Sequence, residues 1–163
     1  MRQKFIKLFE DYTKDQSETP VSGEAWTHVR DTIQTRRPFV IIVFKNKDSY
    51  ASALAKDLST YECIKQTAII FTSEGEKRYP SVFFSLDHDQ EFSNKVKELY
   101  EKFKIKSLVV GKANSEYSTL YLDDGTSTDF GNEIVSTLSP EELESSDQFK
   151  LGSVYYRFIT FEG

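Results

Sequence analysis

Two carboxylates one residue apart, Asp87 and Asp89, close the apolar run Val82-Phe83-Phe84-Ser85-Leu86, and Asp48 follows a similar run, Phe39-Val40-Ile41-Ile42-Val43-Phe44. Carboxylates grouped this way can hold a divalent cation through their oxygens, and strand ends are where an open α/β sheet gathers its ligands. Both runs are too short to span a membrane and are rich in β-branched and aromatic residues, so each reads as a buried strand. Helical periodicity follows each, which predicts a repeated βα unit. Asp48, Asp87 and Asp89 are also residue types that cap helices, and caps far outnumber metal sites among motifs this short. We therefore expect capping, with no metal and no cofactor.

Other chemistry is excluded more directly. Leu122-Asp123-Asp124-Gly125-Thr126 approaches the Asp-x-Asp-Gly-Thr phosphatase signature, but Leu122 stands where the nucleophile should be. Asp129-Phe130-Gly131 spells the kinase metal tripeptide without a glycine-rich loop or catalytic loop upstream, and reads as a turn. Gly75 is isolated and no P-loop pattern occurs. His28 and His88, the two histidines, fall at no metal-ligand spacing from each other or from Cys63. No catalytic residue is assigned, and the chain is not expected to be an enzyme.

The bulk composition agrees with a folded protein. A chain of 163 residues with 38% hydrophobic and 14% aromatic content can bury a core without disulfides, and the lone Cys63 permits none within the chain. The basic start Met1-Arg2-Gln3-Lys4 is not followed by the apolar segment of a signal peptide, so a cytoplasmic protein is expected. A net charge of -5 opposes binding to phosphate backbones, which rewards clustered Lys and Arg.

Residues 3–14 carry Phe5, Leu8, Phe9 and Tyr12 at helical spacing. Trp26, Val29 and Ile33 mark a second helix, capped near Ser22 and ended by Arg37-Pro38. Asp48 is the expected N-cap of a third, with Ala51, Leu54, Leu58 and Tyr61 on its buried face. A strand over Thr67 to Thr72, a polar connection Ser73 to Arg78, and a strand opened by Pro80 come next. The corner Asp87-His88-Asp89-Gln90 starts a fourth helix that buries Phe92, Val96, Leu99 and Phe103. Beyond it, β-rich runs at Ser107 to Gly111, Tyr117 to Leu122, Ile134 to Leu138 and Val154 to Phe161 are broken by a turn at Asp123-Asp124-Gly125 and by a short helix signalled by Ser139-Pro140-Glu141-Glu142. The prediction is an α/β (α+β) fold: one domain, 1–163, with a helical segment 1–37, a βα core 38–111 and an antiparallel extension 112–163.

From Phe39 to Phe103 the order of strand, helix, strand and Asp-x-Asp resembles the Toprim domain of primases and topoisomerases. The resemblance implies metal binding by Asp87 and Asp89, with Asp48 as the later acidic residue. Phe44 replaces the glutamate that would move the proton, so what the resemblance implies is a degenerate domain. At whole-chain level the length, the Lys-, Tyr- and Phe-rich composition and the opening Met1-Arg2-Gln3-Lys4-Phe5-Ile6-Lys7-Leu8-Phe9 resemble the small early proteins of T-even phages, above all the inhibitors of the host ATP-dependent Lon protease. That resemblance implies a phage-encoded protein of the host cytoplasm that docks on a large AAA+ protease, possible also as a homodimer, and does no chemistry.

The aromatic content points to the same class from the residues themselves. Nine Tyr, thirteen Phe and one Trp exceed what a small core needs, and Tyr gives rigid amphipathic area to interfaces. Val154 to Phe161 is apolar on both alternating faces, so one face needs a cover from the same chain or a partner. Tyr155 and Arg157 on this run, with Tyr117 and Tyr121 on a neighbouring β-rich segment, are the expected partner-binding residues. Two other classes fit the sequence: a Toprim-like metal-dependent nucleic-acid enzyme, and an acidic immunity or antitoxin protein facing a basic toxin.

Overall fold

The computed structural model describes residues 23–59, 61–85, 97–98, 100–102, 105–143 and 147–158. The helix expected over 3–14, the cap near Ser22, the corner at Asp87 to Gln90 and the face Phe92, Val96, Leu99 and Phe103 lie outside these residues.

The run at 39–44 is strand β1 (Phe39–Phe44), buried along its whole length. Strands β2 (Ile64–Thr72) and β3 (Gly75–Ser85) form one long hairpin in which Thr72 faces Gly75. The expected polar connection Ser73 to Arg78 is therefore mostly strand, and the reversal is confined to Ser73-Glu74. Gly75, at φ 115, takes a backbone conformation costly for other residues. Pro80 does not open β3 but sits inside it opposite Thr67, and the ladder to β1 ends at Ser81 beside it.

The chain continues through β4 (Ile105–Gly111), β5 (Tyr117–Leu122), β6 (Ser127–Gly131), β7 (Ile134–Thr137), β8 (Gln148–Leu151) and β9 (Val154–Phe158). All belong to one nine-stranded sheet of order β6-β5-β4-β1-β3-β2-β8-β9-β7. Segments 38–111 and 112–163 thus contribute to the same sheet: β5 continues it at one side and β8 at the other. The architecture is α+β. The strands of the expected repeated βα unit are not side by side in the parallel sense such units ordinarily take, because β1 runs antiparallel to both β3 and β4. A strand buried on both faces reads as a continuous apolar run whichever way its neighbours point. Phe39 pairs with Ser85 and Val43 with Ser81, so the C-terminal ends of β1 and β3 stand at opposite ends of the sheet.

Strands β6 and β7 are the two edges of the sheet, yet only Asn132-Glu133 separates them in the chain. The sheet must curl to satisfy that link. Phe130 of β6 meets Phe158 of β9 edge-to-face at 4.8 Å between ring centroids, across the hollow so formed. The concave face carries one core, in which Phe39, Phe83, Phe149, Tyr156 and Phe158 surround helix α1 (Gly23–Gln34). Val29 and Ile33 of α1 are fully buried there, and Trp26 packs on Tyr156 at 5.1 Å. Arg36, at φ 60, stops the helix two residues before Pro38, and its carbonyl accepts from the Asn114 backbone N–H.

The convex face carries a second core of Val40, Ile42, Phe44, Val82, Phe84 and Leu108. Helix α2 (Lys47–Ser52) covers part of it and passes directly into a π-helical turn, Ala53–Asp57. Its N-cap is Asn46, whose side chain accepts from Ser49 N at 2.8 Å; Asp48 lies in the first turn instead. The extra residue of the π turn moves the buried face, so Ala53 and Leu58 are inside while the expected Ala51 is exposed. Among the described residues no helix is long and apolar enough to cross a membrane.

Val43 pairs with Ser107 but Phe44 pairs with Ile105, which leaves Lys106 as the extra residue of a β-bulge.

Candidate partner-binding face

Strand alternation places all four expected binding residues on the convex face. Ser118 and Leu120 are buried between Tyr117 and Tyr121, while Tyr156 and Phe158 flank Arg157 on the concave side. The sheet does not make the two pairs neighbours, however. Strands β4, β1, β3, β2 and β8 lie between β5 and β9.

The four differ in how much surface they offer. Tyr121 packs on the outer core and meets Tyr100 edge-on at 6.4 Å, and the Tyr100 hydroxyl donates to the Leu122 carbonyl. Tyr155 is half-buried with the Lys150 ammonium 5.7 Å from its ring centre. Arg157 is half-buried, and its Nη1 donates to the Phe158 carbonyl. The described part of the run at 154–161 is not an uncovered edge, since β9 is paired on one side by β8 and on the other by β7. Tyr117 is 61% exposed.

Around Tyr117 the curl of the sheet makes a groove of about 530 Å³, lined by Ile33, Arg36, Glu116, Tyr117, Glu133 and Ile134 among others. It lies where the two sheet edges come together. Asn132, 8% exposed, holds this corner rigid through three bonds. Its Oδ1 accepts from the Ser118 hydroxyl, its Nδ2 donates to the Ser115 carbonyl at 3.1 Å, and its backbone N–H donates to the Glu116 carbonyl at 3.0 Å. The link between the edges is thereby fastened to the start of β5, and Tyr117 projects from a fixed frame. Sequence reasoning missed Arg36, Glu116, Asn132 and Ile134. The local signal was Gly131-Asn132 between two short β-rich runs, which ordinarily marks a hairpin and here marks a crossing from one edge to the other.

Of the groups considered for chemistry, Cys63 is partly buried and burial pushes its thiol up to about 12, so the thiolate that would react is suppressed. His28 lies on α1 with its ring edge-on to Phe83 at 6.2 Å, and burial holds its pKa below the usual value. Asp123-Asp124-Gly125 forms the predicted reversal: Gly125 is at φ 91, and Asp124 accepts from both the N–H and the hydroxyl of Thr126. These bonds hold its carboxyl below the ordinary range. Asp129-Phe130-Gly131 is not a turn but edge strand β6, with Phe130 buried in the concave core. Among the described residues no cluster of three or more His, Cys, Asp or Glu is placed to hold a metal.

Comparison with family models, with characterised proteins and with solved structures returns no match for this chain.

Proposed function

We propose that this protein acts by stoichiometric binding rather than by catalysis, as a phage-encoded inhibitor of a host cytoplasmic protein, the ATP-dependent Lon protease. The observation that carries the binding half is Tyr117. A tyrosine with most of its surface in water, fixed on a braced strand at the rim of a groove, has the properties of an interface anchor: large area and little conformational freedom to lose. The named target rests on the whole-chain resemblance described above. Tyr121, Tyr155 and Arg157 share the convex face and have less surface to contribute, so Tyr117 is the dominant contact of the four.

The test is inhibition of ATP-dependent casein degradation by purified Lon as a function of added protein. Inhibition saturating near stoichiometric amounts is expected, and Tyr117→Ala should weaken it by ~2 kcal/mol or more with unchanged unfolding. No inhibition at large molar excess would reject the target. Full inhibition by Tyr117→Ala would reject the face.

A further inference from the structure

We propose that the end of the curled sheet opposite the Tyr117 groove binds a small amphipathic monocarboxylate, with the apolar body in the hollow of the sheet and the carboxylate on Lys106. The two sites stand at opposite ends of β5, so this proposal is independent of the partner-binding face.

Where β1 and β5 end and β8 begins, α1 no longer fills the concave side. A cavity of about 240 Å³ remains there, lined mostly by apolar side chains, among them Val43, Ala68, Val109, Leu120, Leu122 and Phe149. An apolar cavity of about 150 Å³ stays dry and takes up benzene, so this hollow has room for a body of roughly eight carbons. Mouths of curled sheets and barrels are a common place for such sites.

The bulge supplies the specificity. Without it, alternation from Val109 and Ser107 would send Lys106 to the convex face and Ile105 inward. With it, Ile105 joins the outer core, and Lys106 turns into the rim of the cavity. Its ammonium lies 5.4 Å from the centre of the Tyr79 ring, and among the described residues it makes no ion pair. The rim carboxylates already have partners. Asp123 is bound to Lys45 at 2.9 Å, and Asp147 accepts from the Phe71 N–H at 3.0 Å. An apolar chamber with an ammonium at its mouth that no described carboxylate pairs with suits a ligand with an apolar tail and a single negative head.

Octanoate is the probe, titrated into the full chain and followed by calorimetry and by methyl NMR, with 1-octanol as the neutral-headed control. Octanoate should bind tighter than octanol and shift the Leu120 and Leu122 methyl signals. Lys106→Met, which keeps the length of the stem, should weaken octanoate about tenfold or more and leave octanol unchanged. Ala68→Leu, which fills the chamber, should abolish both, with folding checked by denaturation. Equal binding of octanoate and octanol to the wild type, undiminished octanoate binding by Lys106→Met, or methyl shifts confined to other parts of the molecule would each overturn the proposal.

Discussion

The Tyr156 hydroxyl donates to Gln66 Oε1 at 2.7 Å with both side chains buried, and Gln66 Nε2 passes the chain of bonds on to the Ser81 hydroxyl at 3.3 Å. Three strands, β9, β2 and β3, are tied by one polar thread through an aromatic core. Burial also pushes the Tyr156 pKa up, which keeps the phenol protonated and able to donate. A one-residue slip of any of these strands would turn its member of the thread to the other face, so the network specifies register as much as it stabilises.

Tyr156→Phe should therefore cost about 1 to 3 kcal/mol, because it strands the Gln66 acceptor in a dry site. Urea denaturation measures it. An unchanged midpoint would mean that water or another donor reaches Gln66.

Gly111→Ala tests how tightly the concave core is closed. A Cβ at residue 111 would stand 2.1 Å from Cε1 of Phe39, whose ring is held between Phe83 at 5.5 Å and Phe158 at 6.5 Å and has nowhere to go. We expect a loss of about 1 to 3 kcal/mol, the range of overpacked cores, and partial recovery on combination with Phe39→Leu. If the single variant unfolds like wild type, the stack of rings is looser than described.

Asn132→Ala removes the brace between the sheet edges and leaves the Ser118 hydroxyl and the Ser115 carbonyl without that partner. The expected cost is about 1 to 3 kcal/mol, for one buried and one partly buried hydrogen bond. Amide exchange at residues 115 to 118 should rise with it. Loss of stability without faster exchange there would place the brace elsewhere.

The pH dependence has a definite sign for His28. Burial is the main cause of its lowered pKa, Arg37 adds to it, and Glu62 and Asp31 oppose it. With the folded value below the unfolded 6.5, this group's contribution is fully present above 6.5 and is lost as pH falls through the window beneath it, because the unfolded chain takes up the proton first. Wild type should thus lose more unfolding free energy than His28→Gln between about pH 7.5 and pH 5.5. Parallel curves for the two proteins would contradict the assignment.

The elements were more legible in the sequence than their arrangement. The apolar run at 39–44, the helix marked by Val29 and Ile33, and the reversal at Asp123-Asp124-Gly125 were all readable, since each depends on neighbours a few residues away. The antiparallel direction of β1 against β3 was not, because Val40 and Ile42 are buried whichever direction the neighbour takes. The strong capping signal at Ser139-Pro140-Glu141-Glu142 yielded only a 3-10 turn, Pro140–Leu143, in which Glu142 accepts from the Thr137 hydroxyl at 2.5 Å. Tyr117 and Tyr155 were chosen by residue type and strand alternation, and their faces followed. Their separation did not, for it is set by the pairing of β2 with β8, residues some eighty positions apart in the chain.

That pairing has a kinetic consequence. The hairpins β2–β3, β4–β5–β6 and β8–β9 each close within a short stretch of chain, whereas joining Ala68 to Phe149 closes a long loop before any contact rewards it. Curling of the sheet should consequently be the late event of folding, on the millisecond-to-second scale of proteins rich in non-local strand pairs. Truncation of Phe149 would then accelerate unfolding and leave the folding rate nearly untouched, and the same substitution slowing folding instead would put the seam in the nucleus.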